Sequence, residues 1–386
     1  MRPLIGWNSM ILMKGILSLL AILFCCPPAA ISRQQTETRL LRLAVAGLTH
    51  GHAPMILGRP DRGDVRVVGI YEPRRNVFDR YANRYGLSPS IYFAELGRML
   101  DEVKPEAVAA FGTTFDHLEV VRACAPRGIH VMVEKPLAVT LEHALEIESL
   151  AKKYRIHVLT NYETTWYASN HAVYDLLHRE KVIGPVRKVV VHDGHPGPKE
   201  IKVPEEFLEW LTNPVLNGGG ALTDFGCYGA NLVTWLMSGE QPLAVTAVTQ
   251  QIKPNIYPKV EDEATIILRY RDAQAIIQAS WNWPTNRKDI EVYGRDGYAH
   301  AADARNIRSR QAGDAQERSV VLERRAAPFD EPFAYLAAVV RGEIKVADAD
   351  LSSLTNNMTV MRILDAAKRS AATGRTVELR PHTAIR

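Results

Sequence analysis

The segment NGGGALTDFGCYGANLVTWL, residues 217–236, places three polar side chains at helical spacing. Tyr228 follows Asp224 by four residues and Asn231 follows it by seven, so a single helix would present all three on one face. A carboxylate, a phenol and an amide do not suit an apolar core, whereas beside a glycine loop they can bind a polar ligand and exchange a proton with it. The alternative interpretation is an aspartate that caps the helix, followed by an ordinary core tyrosine.

A second reactive group, Lys135, stands in VEKPLAVT (residues 133–140), directly after an apolar stretch. In a parallel sheet the loops at the carboxyl ends of the strands carry the ligand sites, so Glu-Lys-Pro at such an end would place the ammonium at the mouth of a cleft. On its own the tripeptide would indicate no more than an exposed lysine before a turn.

A glycine-containing turn follows the first apolar strand, in AVAGLTHGHAPM (residues 44–55). The dinucleotide-binding fingerprint has glycines two and five residues after the first, but here Thr49 and His52 occupy those positions and Gly51 is the next glycine. We interpret the segment as a working nucleotide loop of altered sequence, and the alternative is a coincidental glycine turn. Gly47 keeps the tight turn, the Thr49 hydroxyl bonds a phosphate oxygen, and the N-terminus of the following helix attracts phosphate.

Alternating strands and helices in the first half of the chain must position these groups. Strands that alternate with helices of this length predict a parallel, doubly wound sheet, which binds ligands at the carboxyl ends of its strands. The predicted strands are Leu41–Gly47, Val65–Tyr71, Ala107–Phe111, His130–Val133 and His157–Thr160, and the predicted helices are Arg75–Tyr85, Phe93–Leu100, His117–Arg127 and Leu141–Tyr154.

From about residue 162 the pattern changes to longer strands, several of which alternate apolar and polar residues as in a sheet with one buried face. A long amphipathic helix, Leu351–Thr373, follows them and ends at Gly374. The other predicted elements are the helix Asn170–Glu180 and the strands Val186–His192, Ala244–Gln251, Ala264–Tyr270, Ala275–Trp281 and Ile290–Tyr293.

The ends of two early strands supply further candidates for binding a nucleotide. Glu72 lies 25 residues after Gly47, near the position at which an acidic residue binds the ribose of NAD, whereas Arg74 could meet the 2′-phosphate of NADP. A surface carboxylate is the alternative, and the spacing leaves NAD and NADP both open. Gly112 and Thr113 form a turn between a strand and a helix in GTTFDH.

The order of these motifs, with GTTFDH upstream of GIHVMV and EKPLA, resembles that of the Gfo/Idh/MocA oxidoreductases over nearly the whole chain after residue 40. The resemblance implies an N-terminal NAD(P)-binding Rossmann domain (residues 40–161) and a C-terminal α/β domain (162–386) built on an open, mostly antiparallel sheet. It also implies that Lys135 points toward the substrate and the nicotinamide, and that the bond between Lys135 and Pro136 is cis.

Tyr228 resembles the acid–base catalyst of one branch of that family. Many relatives have histidine at this position, whereas the branch of glucose–fructose oxidoreductase and dimeric dihydrodiol dehydrogenase has tyrosine. Oxidation of a sugar hydroxyl removes a proton while hydride leaves the carbon, and a phenol with a pKa of about 10 needs help to accept that proton near neutrality. The ammonium of Lys135 would favour the phenolate, and Asp224 would orient the substrate.

The motifs and the resemblance together define the candidate site. No metal is expected, since His192 and His195 lack a third convergent ligand. Glu163 stands where relatives often carry a substrate arginine, which leaves the substrate open, and the tryptophans of ASWNWPTNRKD could stack on a sugar ring. The catalytic candidates are Lys135, Tyr228 and Asp224; the cofactor-binding candidates are Gly47, Thr49, His50, Gly51, His52, Glu72, Arg74, Gly112, Thr113, His117, Glu134 and Lys135; the substrate-binding candidates are Tyr162, His195, Gly219, Asn231 and Trp283.

The first 32 residues have the layout of a secretory signal peptide. MKGILSLLAILFCCPPAAIS (residues 13–32) joins a lysine, an apolar run too short to span a bilayer comfortably, and small residues at a cleavage spacing. A buried strand or helix is the alternative, and residues 33–39 form a polar linker. Removal of Arg2 and Lys14 with the signal lowers the formal net charge from +4 to +2, which is not the footprint of a nucleic-acid-binding protein. The remaining cysteines, Cys124 and Cys227, give neither a disulfide framework nor a zinc spacing.

We therefore expect a periplasmic or secreted NAD(P)-dependent oxidoreductase that acts on a sugar or sugar-like hydroxyl. It would have no membrane anchor after cleavage and no nucleic-acid partner, and it would form a homo-oligomer as relatives often do. Because no free NAD(P) pool is expected outside the cytoplasm, the cofactor should be tightly bound and recycled within each turnover. Two alternatives remain: an exported NAD-dependent glycosidase that oxidises its sugar transiently, and a non-catalytic sugar-binding protein.

Signal cleavage predicts that the mature protein begins near Arg33 and is recovered from the periplasm or the medium. Intact-mass spectrometry of the protein from separated cell fractions measures the N-terminus directly. Soluble cytoplasmic protein that retains residues 14–32 would contradict export.

Overall fold

Residues 40–379 are described by the computed structural model, and they contain two β-sheets. The expected signal peptide (residues 1–32) and the expected linker lie outside these residues. Within residues 40–379, no helix combines the length and apolar character needed to cross a membrane. The expected fold class, a parallel doubly wound sheet followed by a mostly antiparallel one, is confirmed.

The first sheet consists of β1 (Leu41–Ala46), β2 (Val65–Tyr71), β3 (Tyr92–Phe93), β4 (Ala107–Ala110), β5 (His130–Glu134) and β6 (Val158–Asn161). All pair in parallel in the order β3-β2-β1-β4-β5-β6, so the order reverses between β1 and β4 and leaves a crevice at their carboxyl ends. The helices that follow these strands are α1 (Pro54–Leu57), α2 (Arg75–Tyr85), α3 (Leu96–Val103), α4 (Asp116–Cys124) and α5 (Leu141–Tyr154).

The second sheet has nine strands, which are antiparallel to their neighbours except for one parallel pair in the middle. The strands are β7 (Val186–Gly194), β8 (Ala244–Gln250), β9 (Glu263–Arg269), β10 (Gln274–Ser280), β11 (Arg287–Gly294), β12 (Gly297–Ala301), β13 (Asn306–Gln311), β14 (Arg318–Val321) and β15 (Val377–Glu378). Their order is β14-β13-β12-β11-β7-β10-β9-β8-β15, and β7 and β10 form the parallel pair.

The helices of this second part are α6 (Ala168–Tyr174), α7 (Glu205–Leu211), α8 (Ala221–Asp224), α9 (Gly226–Leu236), α10 (Pro332–Val340) and α11 (Leu354–Thr373). Helix α9 lies close against the sheet because two of its residues lack side chains. A Cβ at Gly229 would overlap Cγ2 of Ile277, and one at Gly226 would lie 3.0 Å from Cδ1 of Ile266. This close packing holds α9, and with it Tyr228, against the sheet.

The expectation of a single helix that begins at Asp224 is wrong. Asp224 is the last residue of α8, and α9 begins two residues later at Gly226. The Asp224 and Tyr228 side chains still converge, because Phe225 between them keeps a right-handed helical backbone and Nζ of Lys135 lies close to both. Helical spacing could not reveal the break, because the Asp224 side chain is engaged by residues far away in the sequence.

Helix α10 belongs to the core of the first sheet although it lies near the end of the chain. Phe333, Leu336 and Val339 pack in one buried cluster with Leu43 and Val45 of β1. The core of the nucleotide-binding sheet is therefore completed by a segment that follows most of the second sheet.

Candidate active site

Lys135 and Asp224 form a buried ion pair between the end of β5 and the end of α8. The peptide bond to Pro136 is cis, as the resemblance implies, and Lys135 is only 6% exposed. Its Nζ donates to Oδ1 of Asp224 and, at 3.2 Å, to the main-chain oxygen of Asp224. Nε1 of Trp281 donates to Oδ2 of Asp224 at 2.9 Å. Both carboxylate oxygens are therefore engaged by protein, and one N–H of the ammonium remains for another acceptor.

This pairing keeps both groups charged in a buried position. Burial alone would raise the pKa of Asp224, but the ammonium of Lys135 holds it below its usual value. Burial alone would lower the pKa of Lys135, and the charge of Asp224 raises it above its usual value. Asp224 therefore holds Lys135 in place rather than presenting a free carboxylate to a substrate.

Tyr228 lies on α9 near two ammonium groups. Nζ of Lys135 is 5.3 Å and Nζ of Lys288 is 5.0 Å from the centre of the phenol ring. The Tyr228 hydroxyl makes no hydrogen bond within residues 40–379. Burial raises the pKa of Tyr228 well above its usual value, and the charge of Glu163 adds to the rise. A net lowering of the Tyr228 pKa, expected from Lys135, is not found, because burial dominates.

Three expected substrate-binding residues are engaged or enclosed by protein. Asn231 is buried, and its Nδ2 donates to the main-chain oxygen of Leu351 at 2.8 Å, which anchors the segment before α11. Gly219 has φ +151°, and a Cβ there would lie 2.5 Å from Oγ1 of a neighbouring threonine, so the close approach that glycine allows is to protein. Tyr162 is fully buried with its hydroxyl unpartnered among the described residues. Asn231 thus makes a structural contact through Nδ2, whereas its Oδ1 has no partner among the described residues.

A cavity of about 530 Å³ adjoins this group of residues and is lined mainly by charged and polar side chains. On its wall, Nζ of Lys288 donates to Glu163, whose other carboxylate oxygen accepts from the Tyr167 hydroxyl at 2.6 Å. His195, an expected substrate-binding residue, also lines the cavity, and burial lowers its pKa. Lys288 carries no signal in the sequence, and Glu163 is noticeable there only as a departure from the arginine of relatives.

The two tryptophans expected to stack on a sugar ring differ in their surroundings. Trp281 is fully buried, which excludes the stacking expected of it. Trp283 is half-buried, and the guanidinium of Arg287 lies 4.6 Å from the centre of its ring. Its Nε1 donates to the main-chain oxygen of Asp193 at 3.3 Å. One face of Trp283 is therefore covered by protein.

A second cavity, of about 260 Å³, lies at the crevice between β1 and β4. Gly47 has φ +81°, and a Cβ there would lie 2.6 Å from Cα of Gly112, so the two loops touch at this point. The Thr49 hydroxyl is buried and has no partner among the described residues, which fits a hydrogen bond to a phosphate oxygen of a dinucleotide. The expected nucleotide-binding residues that line this cavity are Gly47, Thr49, Glu72, Arg74, Gly112 and Thr113.

Glu72, directly after β2, connects two loops at the rim of this cavity through hydrogen bonds. Its Oε2 accepts from the N–H of Leu48 at 2.9 Å, and its Oε1 accepts from the N–H of Arg74 at 3.0 Å. Helix α1 attracts phosphate more weakly than the sequence suggests. It has only four residues, and its first residue, Pro54, has no N–H to donate. Side chains and loop amides must therefore supply most of the contacts.

The histidines of the loop contact protein groups. Nδ1 of His52 lies 2.9 Å from Oε2 of Glu134, whose Oε1 accepts from Nδ2 of Asn161 at 2.7 Å. Burial would raise the pKa of Glu134, but His52 and His50 lower it to about 2. His50 is buried, with its ring centre 4.9 Å from that of Phe207 on α7. Glu134 is thus an ionised carboxylate held beside Lys135 at the end of β5.

Two other expected cofactor-binding residues, Gly51 and His117, contact protein groups and do not line the 260 Å³ cavity. A Cβ at Gly51 would lie 3.1 Å from the ring of Phe207, so the absence of a side chain lets α7 approach. Nδ1 of His117 lies 3.2 Å from the main-chain oxygen of Leu137, and burial lowers the pKa of this histidine.

Two groups of potential metal ligands converge in the described residues: His50, His52 and Glu134, and His192, Asp289 and Glu291. One pair in each group is already joined by a hydrogen bond: Nδ1 of His52 to Oε2 of Glu134, and Nδ1 of His192 to Oδ2 of Asp289, each at 2.9 Å. We therefore assign no metal to either.

Comparison with known proteins finds the same family in both halves of the chain. Residues 41–162 match the profile described as "Oxidoreductase family, NAD-binding Rossmann fold", and residues 174–300 match the "GFO/IDH/MocA C-terminal domain". Trans-1,2-dihydrobenzene-1,2-diol dehydrogenase of Xenopus tropicalis is 29% identical over 183 residues, which cover 47% of this chain and 51% of that one. D-xylose 1-dehydrogenase (NADP(+)) 2 of Haloferax volcanii is 26% identical over 275 residues, which cover 68% and 77%. The chain thus spans about half the length of the dihydrodiol dehydrogenases that it matches.

Solved structures share the fold over almost the whole described chain. An aldose–aldose oxidoreductase from Caulobacter crescentus, complexed with glycerol, superposes with a TM-score of 0.73 at 24% identity and covers 88% of this chain and 100% of that one. An inositol dehydrogenase homolog from Azotobacter vinelandii, complexed with NAD+, gives a TM-score of 0.77 at 17% identity, with 89% and 98% covered. At these identities the likeness supports the fold alone.

Removal of the Asp224 charge should leave the Lys135 ammonium buried and uncompensated. For Asp224→Asn we expect the free energy of unfolding to fall by about 3–5 kcal/mol, and a further Lys135→Met substitution should restore most of the loss. Because the pKa of Asp224 is depressed in the folded protein, its stabilising effect is present above its usual pKa of about 4 and is lost as pH falls through the folded value. Urea unfolding at a series of pH values measures both effects.

The exposed pair Arg98–Glu102 on α3 provides the control, because solvent screens it. Glu102→Gln should leave the urea midpoint unchanged. Equal stability of Asp224→Asn and the wild type at neutral pH would contradict the role given to the buried pair.

Proposed function

Because the chain belongs to the GFO/IDH/MocA oxidoreductase family, we propose that it is an NAD-dependent oxidoreductase that transfers hydride to and from a hydroxyl-bearing carbon of a sugar or sugar-like polyol. The observation that carries the proposal is the Tyr228 hydroxyl, which lacks a hydrogen-bond partner in the described residues and belongs to a ring beside the Lys135–Asp224 pair. The relatives named above, dehydrogenases of a diol and of a sugar, support the same reaction class.

The high pKa of Tyr228 gives it a defined protonation state, because at neutral pH the phenol keeps its proton. In the reducing direction it donates this proton to a carbonyl oxygen as hydride reaches the adjacent carbon, which yields an alcohol. In the oxidising direction the phenolate must form first, and it then accepts the hydroxyl proton as hydride leaves. Bound nicotinamide supplies or accepts the hydride. Reduction should therefore proceed at neutral pH, and oxidation should accelerate as pH rises.

Lys135 contributes the hydrogen bond that polarises the reacting oxygen. Two of its three ammonium N–H groups donate to Asp224, so the third is directed by a fixed ion pair rather than by a flexible side chain. A donor held in place before the reaction stabilises negative charge on the oxygen without first having to reorganise. Asp224 acts through Lys135 and is a positioning residue.

The crevice between β1 and β4 suits NAD better than NADP. Thr49 offers its unpartnered hydroxyl to the pyrophosphate, and the Glu72 carboxylate faces the cavity edge where a ribose would lie. A 2′-phosphate at that ribose would meet a like charge. Arg74 offsets this only in part, because its own Nε lies 3.5 Å from Glu72 and its guanidinium is 3.9 Å from Glu209.

The cavity of about 530 Å³ suits a neutral, hydroxyl-rich substrate. Its wall carries charges of both signs in pairs, such as Lys288 with Glu163 and Arg287 with Asp289. Charged pairs donate to and accept from sugar hydroxyls without favouring a net charge on the ligand. We propose a sugar or polyol as the substrate.

Release of nicotinamide dinucleotide from the purified protein on denaturation is the first test, followed by turnover of a panel of sugars. Net formation of reduced cofactor supports the oxidoreductase. Release of an aglycone without net redox change would favour a glycosidase that oxidises its sugar transiently, and sugar binding without any nicotinamide would favour a binding protein. We also propose export, based on residues 13–32, in which case the cofactor must be retained through turnover.

Tyr228→Phe should leave the fold and cofactor binding intact, because only one hydroxyl is lost and the ring still packs. Hydride transfer should slow by about 10²- to 10⁴-fold, the usual effect of removing a general acid–base group. Single-turnover absorbance of the reduced cofactor measures the step. Tyr270→Phe removes another buried, unpartnered hydroxyl and should leave the rate unchanged. A Tyr228→Phe rate close to that of the wild type would reassign the tyrosine to packing.

The protein should bind NAD at least about tenfold more tightly than NADP, since a buried carboxylate opposes the 2′-phosphate. Glu72→Ser should narrow the ratio of the two dissociation constants, whereas Glu102→Gln, on the exposed face of α3, should not change it. Fluorescence titration with both reduced cofactors gives the ratio. If the wild type instead preferred NADP, the attraction of Arg74 for the 2′-phosphate would outweigh the repulsion by Glu72.

A further inference from the structure

Asp193 is a buried carboxyl group near the site that the proposed function does not use. It is the penultimate residue of β7 and is 0% exposed. Neither of its carboxyl oxygens has a hydrogen-bond partner within residues 40–379. Buried carboxylates in proteins are normally paired or hydrogen-bonded, so an unpartnered one requires a physical explanation.

The register of the second sheet places Asp193 directly opposite Lys288. The two residues oppose each other across β7 and β11, and opposed residues of an antiparallel pair project to the same face. On that face Lys288 donates to Glu163, and its Nζ lies 5.0 Å from the ring centre of Tyr228. Asp193 and Glu163 are thus two carboxyl groups within reach of one ammonium.

The two lysines near Asp193 already have carboxylate partners of their own. Lys135 pairs with Asp224 and Lys288 pairs with Glu163, so an ionised Asp193 would add an uncompensated charge to the interior. Burial raises the pKa of Asp193 well above its usual value, Lys288 opposes the rise, and nearby acids add to it. The titratable groups that face it are Lys288 and Asp289 of β11, Glu163 and Tyr167 after β6, Lys135 after β5, and Cys227 of α9.

We propose that Asp193 is a positioning residue that carries a proton in the ligand-free site and becomes the partner of Lys288 when a ligand engages Glu163. A sugar hydroxyl that donates to Glu163 weakens the ion pair of Glu163 with Lys288. The Lys288 ammonium then moves toward Asp193. As the new pair forms, the carboxylic acid becomes a carboxylate and its proton goes to water. Binding of a neutral polyol therefore releases one proton. The identity of the ligand rests on the proposed function, whereas the sharing of Lys288 by two carboxyl groups does not.

The decisive test uses the whole protein without ligand. Asp193→Asn keeps the shape of the neutral acid but cannot ionise. In the wild type the folded state retains a proton that an unfolded aspartate releases above a pH of about 4, so folding becomes less favourable as pH rises. From about pH 4 to about pH 8, the unfolding temperature of the wild type should therefore fall relative to Asp193→Asn, by about 2 °C or more.

Glu163→Gln imitates a glutamate whose charge is engaged by a ligand, and Tyr167 can still donate to the amide oxygen. In this background Asp193 is the remaining partner of Lys288 and should ionise. Adding Asp193→Asn should then lower the unfolding temperature at neutral pH, opposite in sign to its effect in the wild type. The infrared band of a protonated carboxylic acid should be present in the wild type and absent from both Asp193→Asn and Glu163→Gln.

Asp262→Asn is the matched control, because Asp262 is buried with its two oxygens accepting from main-chain N–H groups at 2.7 Å each. Its substitution should destabilise the protein at neutral pH, unlike Asp193→Asn. Parallel pH dependence of the wild type and Asp193→Asn, or additive effects of the substitutions at 193 and 163, would overturn the proposal. Neither measurement involves cofactor or turnover, so such a failure would leave the proposed oxidoreductase standing. Failure of the oxidoreductase would instead appear as the absence of nicotinamide.

Discussion

A buried ammonium requires a counter-charge, and the ion pair of Lys135 with Asp224 meets that requirement where the two sheets meet. Lys135 leaves the parallel sheet at the end of β5, Asp224 ends a helix that packs on the antiparallel sheet, and Trp281 holds the second carboxylate oxygen. Tyr228 lies four residues after Asp224, on the next helix, and its ring centre is 5.3 Å from Nζ of Lys135.

The pairing of charges also explains the protonation states in the site. A free ammonium beside a phenol would favour the phenolate, but both lysines near Tyr228 already have carboxylate partners. Desolvation then dominates, and the buried Tyr228 stays neutral. The same argument applies to Asp193, which is left without a cation. The Tyr228 phenol and the Asp193 carboxylic acid are therefore both neutral, and they lie near the ion pairs Lys135–Asp224 and Lys288–Glu163.

The sequence predicts the features that depend on neighbouring residues in the chain. It does not predict those that depend on contacts between residues far apart in the chain. Alternating apolar runs and helical stretches predict the parallel sheet, and the turn at Gly47 and the lysine after β5 follow from their positions at strand ends. The break at Phe225 is not predictable in this way, because the spacing of Asp224 and Tyr228 suits one helix. Lys288 is invisible for a similar reason, since only the register of β7 with β11 brings it opposite Asp193.

Helix α10 has a consequence for the synthesis of the chain. Its apolar residues share a buried cluster with those of β1, yet they lie about 290 positions later, so a ribosome must complete most of the polypeptide before they become available. Until then the nascent nucleotide-binding sheet exposes part of its core. Uncovered apolar surface of this kind is what chaperones bind when they keep a polypeptide unfolded.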